Sequence, residues 1–204
     1  MPPELDRNQF LNLGALVEGG LVLLAFGFGW VAGISPTARL DFNLPGLLLG
    51  LAGTLPLLAG FTLFRRSTWP PLVEIDRQLQ ETIVPLLARC RWYDLVLMGL
   101  LAGVSEELLF RGVLQPWMSR YGLAWGLVIS NVIFGLAHMI TPLYALLAGL
   151  AGVYFGLMSL VAWPGESPGL LAPIVAHAVY DWLAFVLLVR AWRKKHGTAG
   201  ADEL

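Results

Sequence analysis

Apolar runs of about twenty residues recur along this chain, each long enough to cross a bilayer as a helix. They are Leu11 to Ile34, Leu44 to Phe64, Asp94 to Met118, Leu123 to Ile140, Leu143 to Trp163 and Gly169 to Trp192. A backbone placed in hydrocarbon must bond its own N–H and C=O groups, which a helical bundle does. Composition agrees: 57% of residues are hydrophobic and 13% charged, with a mean hydropathy of +0.70, against about 25% charged in soluble domains. The expectation is an all-α fold, a polytopic integral membrane helical bundle of about six transmembrane helices plus one interfacial amphipathic helix, forming a single membrane domain over residues 1–204. A net charge of -1 excludes a strongly basic nucleic-acid binder. Cys90 is the single cysteine, so no internal disulfide and no cysteine-rich zinc site can form, and its thiol reads as inert.

The breaks between runs carry turn chemistry. Ser35 to Asn43 holds Pro36 and Asp41, and Pro45 sits where a helix start tolerates proline. Tyr121-Gly122 and Thr141-Pro142 mark two tight turns, and Pro164-Gly165-Glu166-Ser167-Pro168 ends the fifth run. That fifth run is rich in glycine and alanine, which lets helices approach closely. Arg65 to Tyr93 differs: it carries Arg65, Arg66, Arg77, Arg89 and Arg91 with several acids, and Leu79, Ile83, Leu86 and Leu87 fall at helical spacing. It reads as a surface helix lying on the membrane. Most Lys and Arg lie on the side that bears this segment and both termini, including Arg193-Lys194-Lys195, while the other side has essentially Arg39 and Arg120. The positive-inside rule therefore places both termini in the cytoplasm. Glu4 and Asp6 beside Arg7 make a poor signal-peptide start, so the first run is expected to stay as a helix. The final Ala-Asp-Glu-Leu lacks the leading residue of an ER-retention signal and reads as a polar tail.

Ser105-Glu106-Glu107-Leu108-Leu109-Phe110-Arg111 breaks the apolar pattern inside the third run. A charge at the bilayer centre costs roughly 2.5 kcal/mol or more, so such residues face a protein interior or a wet cavity and mark a site. Two further runs contribute: Asn131, Phe134 and His138 in the fourth, His177 and Asp181 in the sixth. Glu107 with Arg111, Phe134 with His138 and His177 with Asp181 are each four residues apart, hence on one helix face. Glu107 precedes Arg111 in the favourable order for a helix ion pair. Consecutive residues point about 100° apart, so Glu106 and Glu107 do not face one spot. Glu106 is left as a general base that could activate a water together with His138. His177 could position that water or stabilise an oxyanion, with Asp181 fixing its ring. Phe134 packs near the site or in the core, and Asn131, two turns before His138, lines it. Glu18, in the first run, either lines the site or reaches an interface as an isolated carboxyl. The span boundaries put Glu106 mid-membrane, His138 near the cytoplasmic end of its helix and His177 toward the outer half. Convergence then demands tilted, broken or shifted helices.

Glu106-Glu107-x-x-x-Arg111, Phe134-x-x-x-His138 and His177-x-x-x-Asp181, in that order and each within a span, resemble the three motifs of the CPBP intramembrane proteases. That group of CAAX prenyl endopeptidases and bacteriocin-processing or immunity proteins is also called the Abi family. The resemblance covers about residues 94–188, which would be the catalytic core. It implies an endopeptidase in which a water attacks a peptide bond of a membrane-associated protein or peptide. By its pattern Glu106 and His138 activate the water, while His177 and position 181 serve the tetrahedral intermediate. The prenyl-endopeptidase branch typically has Asn where this chain has Asp181. An ionised Asp cannot donate to an oxyanion, so Asp181 must be protonated, orient His177 or bind a cation.

No cofactor is expected. The alternative is zinc, held by Glu106, His138 and His177 with an open water position, though no His-Glu-x-x-His sequence argues for it. The expected partners are the lipid bilayer and a substrate at the membrane, with no nucleic acid. Two other readings of the polar cluster are structural glue in a non-proteolytic scaffold and a proton pathway across the bilayer. Its concentration into three motifs argues against the pathway.

Overall fold

The computed structural model describes residues 5–162 and 169–197. The Trp163 end of the fifth run, the Pro164 to Pro168 break, Glu4 and the C-terminal tetrapeptide lie outside the described residues. Among those described there are helices and turns but no strand.

Helix α1 spans Arg7–Ala32. It begins before the apolar run because Asp6 and Gln9 form a capping box, and it ends where Gly33 takes the left-handed conformation at φ 66°. Helix α2, Leu44–Arg66, is capped by Asn43, which accepts from the Gly46 amide at 2.7 Å. The segment expected as one surface helix is two: α3, Pro70–Thr82, and α4, Val84–Leu87. Pro85 in the first turn of α4 explains the interruption, since it lacks the N–H that would continue the preceding helix. Ile83, placed in the buried stripe by spacing, is 38% exposed, and Ile75, Val84 and Leu87 are the buried members. Cys90 follows α4 in the core beside Leu87, Leu95 and Val189. Burial pushes its thiol up to about 11, so it stays protonated and inert.

The third run is not a single α-helix. Helix α5, Trp92–Leu109, passes into a π-helical turn at Phe110–Leu114, then α6, Gln115–Met118, and a 3₁₀ turn at Ser119–Tyr121. Helices α7, Leu123–Ala137, and α8, Pro142–Met158, form a hairpin, and α9, Leu171–His196, closes the bundle.

Contacts set the directions. Helices α1 and α5 run parallel: Arg7 grips Asp94 with two hydrogen bonds of 2.6 and 2.7 Å at one end, and Arg120 donates to the Ala32 carbonyl at 2.6 Å toward the other. Helix α9 runs antiparallel to α5, with Ala178 against Gly103 and Arg193 bonded to the Ala88 carbonyl at 3.0 Å. Helices α1, α2 and α9 are each long and apolar enough to cross a membrane, and α7 and α8 are shorter apolar helices.

The polarity is inside out. Leu16, Leu23, Trp30, Leu55, Val128 and Leu150 are exposed, whereas Glu106, Glu107, Arg111, Gln115, Ser130, Asn131, Ser159 and His177 are buried. An apolar exterior of this extent suits lipid.

Glycine permits the α5–α9 approach: a Cβ on Gly103 would lie 2.7 Å from the Ala178 nitrogen and 2.8 Å from its Cβ. Gly103→Val is therefore expected to lower stability by about 1–3 kcal/mol or more through overpacking. Gly27→Val, where nothing lies within 4 Å, should be near neutral. Thermal unfolding of both variants in detergent checks the difference; equal midpoints would contradict it.

Candidate active site

Four helices deliver the polar residues to one place. Glu106 and His138 are equally distant in sequence from Gly122, the turn between the α5–α6 rod and α7, so an antiparallel pairing brings them level. Helix α7 has 15 residues, about 22 Å, and its last turn stops short of a core about 30 Å thick. His138, its C-cap residue, therefore lies inside the bundle. His177 sits near the start of α9 and meets Glu106 because α9 descends antiparallel to α5. The expected run to Ile140 is cut short at Ala137 in α7, and His177 lies seven residues into α9, which brings both histidines level with Glu106.

Both imidazoles are held by the same ring nitrogen. His138 Nδ1 lies 2.8 Å from the Phe134 carbonyl, which can only accept, so Nδ1 carries the proton. His177 Nδ1 lies 2.9 Å from Glu107 Oε1, which also accepts from Arg111 Nη1 at 2.9 Å. Nε2 of each ring is left facing Glu106 Oε2, at 3.6 Å from His138 and 4.0 Å from His177. Glu106 Oε2 is buried and makes no hydrogen bond. These separations exceed hydrogen-bond length. Asp181, half-buried, has Oδ2 at 3.5 Å from His177 Nε2.

Two expectations change. Asp181 does not sit at the nitrogen that fixes the His177 ring; Glu107 does, so Glu107 is more than the partner of Arg111. Glu106 and Glu107 also meet at one side chain despite their divergent directions, because the His177 ring stands between them and is approached on opposite edges.

Arg111 is fully buried. Besides Glu107 it donates to Asn131 Oδ1 at 2.9 Å and the Gly152 carbonyl at 2.7 Å, and its guanidinium lies 4.6 Å from the Phe134 ring centroid. Asn131 thus supports the ion pair rather than the reacting centre. Phe134 stacks on His138 at 4.4 Å, and Phe155 stacks on His177 at 4.7 Å.

Sequence reasoning missed Phe155, Gly152 and Arg39. Gly152, Gly156 and Ser159 fall at helical spacing on α8, a stripe of small residues that marks the face packed on Arg111 and Gln115. Phe155 carried no comparable signal. Glu18 reaches the site from α1, its carboxylate hydrogen-bonded to the Ser105 hydroxyl.

A tetrahedral zinc ion, with ligands about 2.0–2.2 Å away, sets its donors about 3.3–3.6 Å apart, and Glu106 Oε2 stands 3.6 Å from His138 Nε2 and 4.0 Å from His177 Nε2. Among the described residues no group of three His, Cys, Asp or Glu side chains could hold a metal ion.

Residues 88–183 match the family model described as Type II CAAX prenyl endopeptidase Rce1-like. All eight residues singled out from the motifs fall inside that segment, while α1, α2 and Arg39 precede it. No curated protein and no solved structure gives a significant match.

Proposed function

We propose that this integral membrane protein, whose residues 88–183 match the Rce1-like type II CAAX prenyl endopeptidase model, hydrolyses peptide bonds of a membrane-associated protein or peptide by a glutamate-based mechanism that needs no metal. The observation that carries this reading is the convergence of the unpaired Glu106 Oε2 with Nε2 of His138 and of His177. A water between them donates to Glu106 and His138 and presents a lone pair to a scissile carbonyl. Glu106 takes the proton as the carbon–oxygen bond forms and returns it to the leaving amine. His177 in its imidazolium form donates from Nε2 to the developing oxyanion, and the carboxylate of Glu107, itself anchored by Arg111, favours that charge. Asp181 accepts from His177 Nε2 before substrate arrives, or donates to the oxyanion when protonated. The bundle spans the bilayer six times, with both termini in the cytoplasm.

The test is a panel of quenched peptides and membrane-protein fragments incubated with detergent-purified protein, in parallel with metal analysis and chelation. Cleavage that survives chelation without stoichiometric metal supports the reading. Cleavage lost on chelation and restored by zinc overturns the metal-free mechanism. A purified, folded protein that cleaves nothing in the panel counts against the protease itself and toward a scaffold.

A further inference from the structure

The π turn that follows Glu106-Glu107 breaks the regular bonding of the helix. In it the Gln115 amide bonds back to the Phe110 carbonyl, five residues earlier, which displaces a carbonyl from the normal ladder. The Arg111 carbonyl is bonded instead by a side chain from far away in sequence: Arg39 Nη2 donates to it at 2.5 Å. Within a bilayer no water would replace such a donor.

Arg39 makes two further contacts. Its Nη1 donates to the Ser159 carbonyl at the end of α8, at 3.4 Å. Its own carbonyl accepts from the Leu170 amide at 2.9 Å, and Leu170 is the N-cap residue of α9. One residue of the α1–α2 loop thus joins the π turn, the end of α8 and the beginning of the helix that carries His177 and Asp181. The same loop presses on the π turn a second time. A Cβ on Gly112 would lie 2.5 Å from the Pro36 carbonyl oxygen, so only glycine admits the loop so closely. Between the two braced points lies the Arg111–Glu107–His177 chain of hydrogen bonds.

We propose that the Arg39 side chain is a positioning group for the reaction: by bracing the open carbonyl of the π turn against the end of α8, while the main-chain carbonyl of the same residue holds the start of α9, it sets the Arg111–Glu107–His177 chain that places His177 beside Glu106. Its role rests on the protease reading for its kinetic consequence but not for its structural one. Arg39 touches neither the reacting atoms nor the water, and it acts through Arg111 and Leu170.

The experiment compares wild type, Arg39→Ala and Arg39→Lys as full-length protein in detergent by hydrogen–deuterium exchange, with cleavage of one quenched peptide that wild type cuts. In Arg39→Ala, which loses the side-chain bonds to the Arg111 and Ser159 carbonyls but keeps the main-chain carbonyl that Leu170 bonds, amides of residues 110–115 are expected to exchange on the order of tenfold faster, while residues 123–137 of α7 keep their protection. A shift of the reacting groups by about 1 Å costs on the order of 100-fold in rate, so kcat should fall about that much with KM nearly unchanged. Added guanidinium should restore part of it. Arg39→Lys, with one nitrogen where the guanidinium uses two, should lie between. Wild-type exchange at residues 110–115 in Arg39→Ala overturns the proposal whatever the activity. Uniformly faster exchange along the chain also overturns it, by making Arg39 a global stabiliser. If wild type cleaves no peptide, that result falls on the protease reading, and the exchange comparison still decides Arg39.

Discussion

Glu106→Gln is expected to abolish measurable cleavage, a loss on the order of 10²–10⁴-fold, while the protein stays folded. Gln matches Glu in shape but cannot take a proton from water, and its amide N–H could donate only to the unprotonated Nε2 of His138, which now faces the carboxylate at 3.6 Å. Because Glu106 Oε2 has no bonded partner to lose, the substitution leaves no orphaned group behind. The check is the cleavage rate beside the thermal midpoint of the same sample. An active Glu106→Gln protein would remove Glu106 from the role of base. His138→Ala should be about as inactive, and combining the two should cost little more, since residues that act on one water are far from additive.

Arg111→Ala is expected to be the most damaging single change to the fold, lowering stability by about 3–5 kcal/mol. It would strand Glu107 without its cation, open the space over Phe134 and leave Asn131 Oδ1 and the Gly152 carbonyl without their donor. Yield of monodisperse protein and the unfolding midpoint in detergent check this. The double variant Glu107→Gln/Arg111→Met should recover much of the stability, because both charges disappear together. Its activity should remain low, since a neutral amide at 107 no longer favours a charged His177. Recovery of both stability and activity would reduce the pair to packing. A folded, fully active Arg111→Ala protein would refute the ion-pair role altogether.

Features set by local chemistry were readable before the structure. The apolar runs gave the helices, and Gly122 and Thr141-Pro142 gave the ends of α7. The four-residue spacings gave the Glu107–Arg111 pair, the His138 ring over Phe134 and the neighbourhood of His177 and Asp181. What escaped depends on contacts between helices. The turn Phe110-Arg111-Gly112-Val113-Leu114 itself lacks proline, but Pro116 just beyond it has no N–H for the carbonyls of the turn and is the one local sign of a break; Pro36 and Arg39, some seventy residues earlier, meet it there. Arg39 and Arg120 read as loop charges marking one side of a membrane, yet both spend their donors on backbone carbonyls, those of Arg111 and Ala32. The bond from His177 to Glu107 was likewise hidden, because helical spacing had already given Glu107 a partner.

The brevity of the α7–α8 hairpin has a further consequence for the lipid around it. At 15 and 17 residues its helices measure about 22 and 26 Å, and a bilayer meets such mismatch by thinning locally. A thinned patch beside His138 lowers the barrier to bringing both water and an unpaired peptide group down from the headgroups. On the proposed protease reading, a membrane thinned beside the short hairpin would shorten the path of water and peptide to Glu106, His138 and His177.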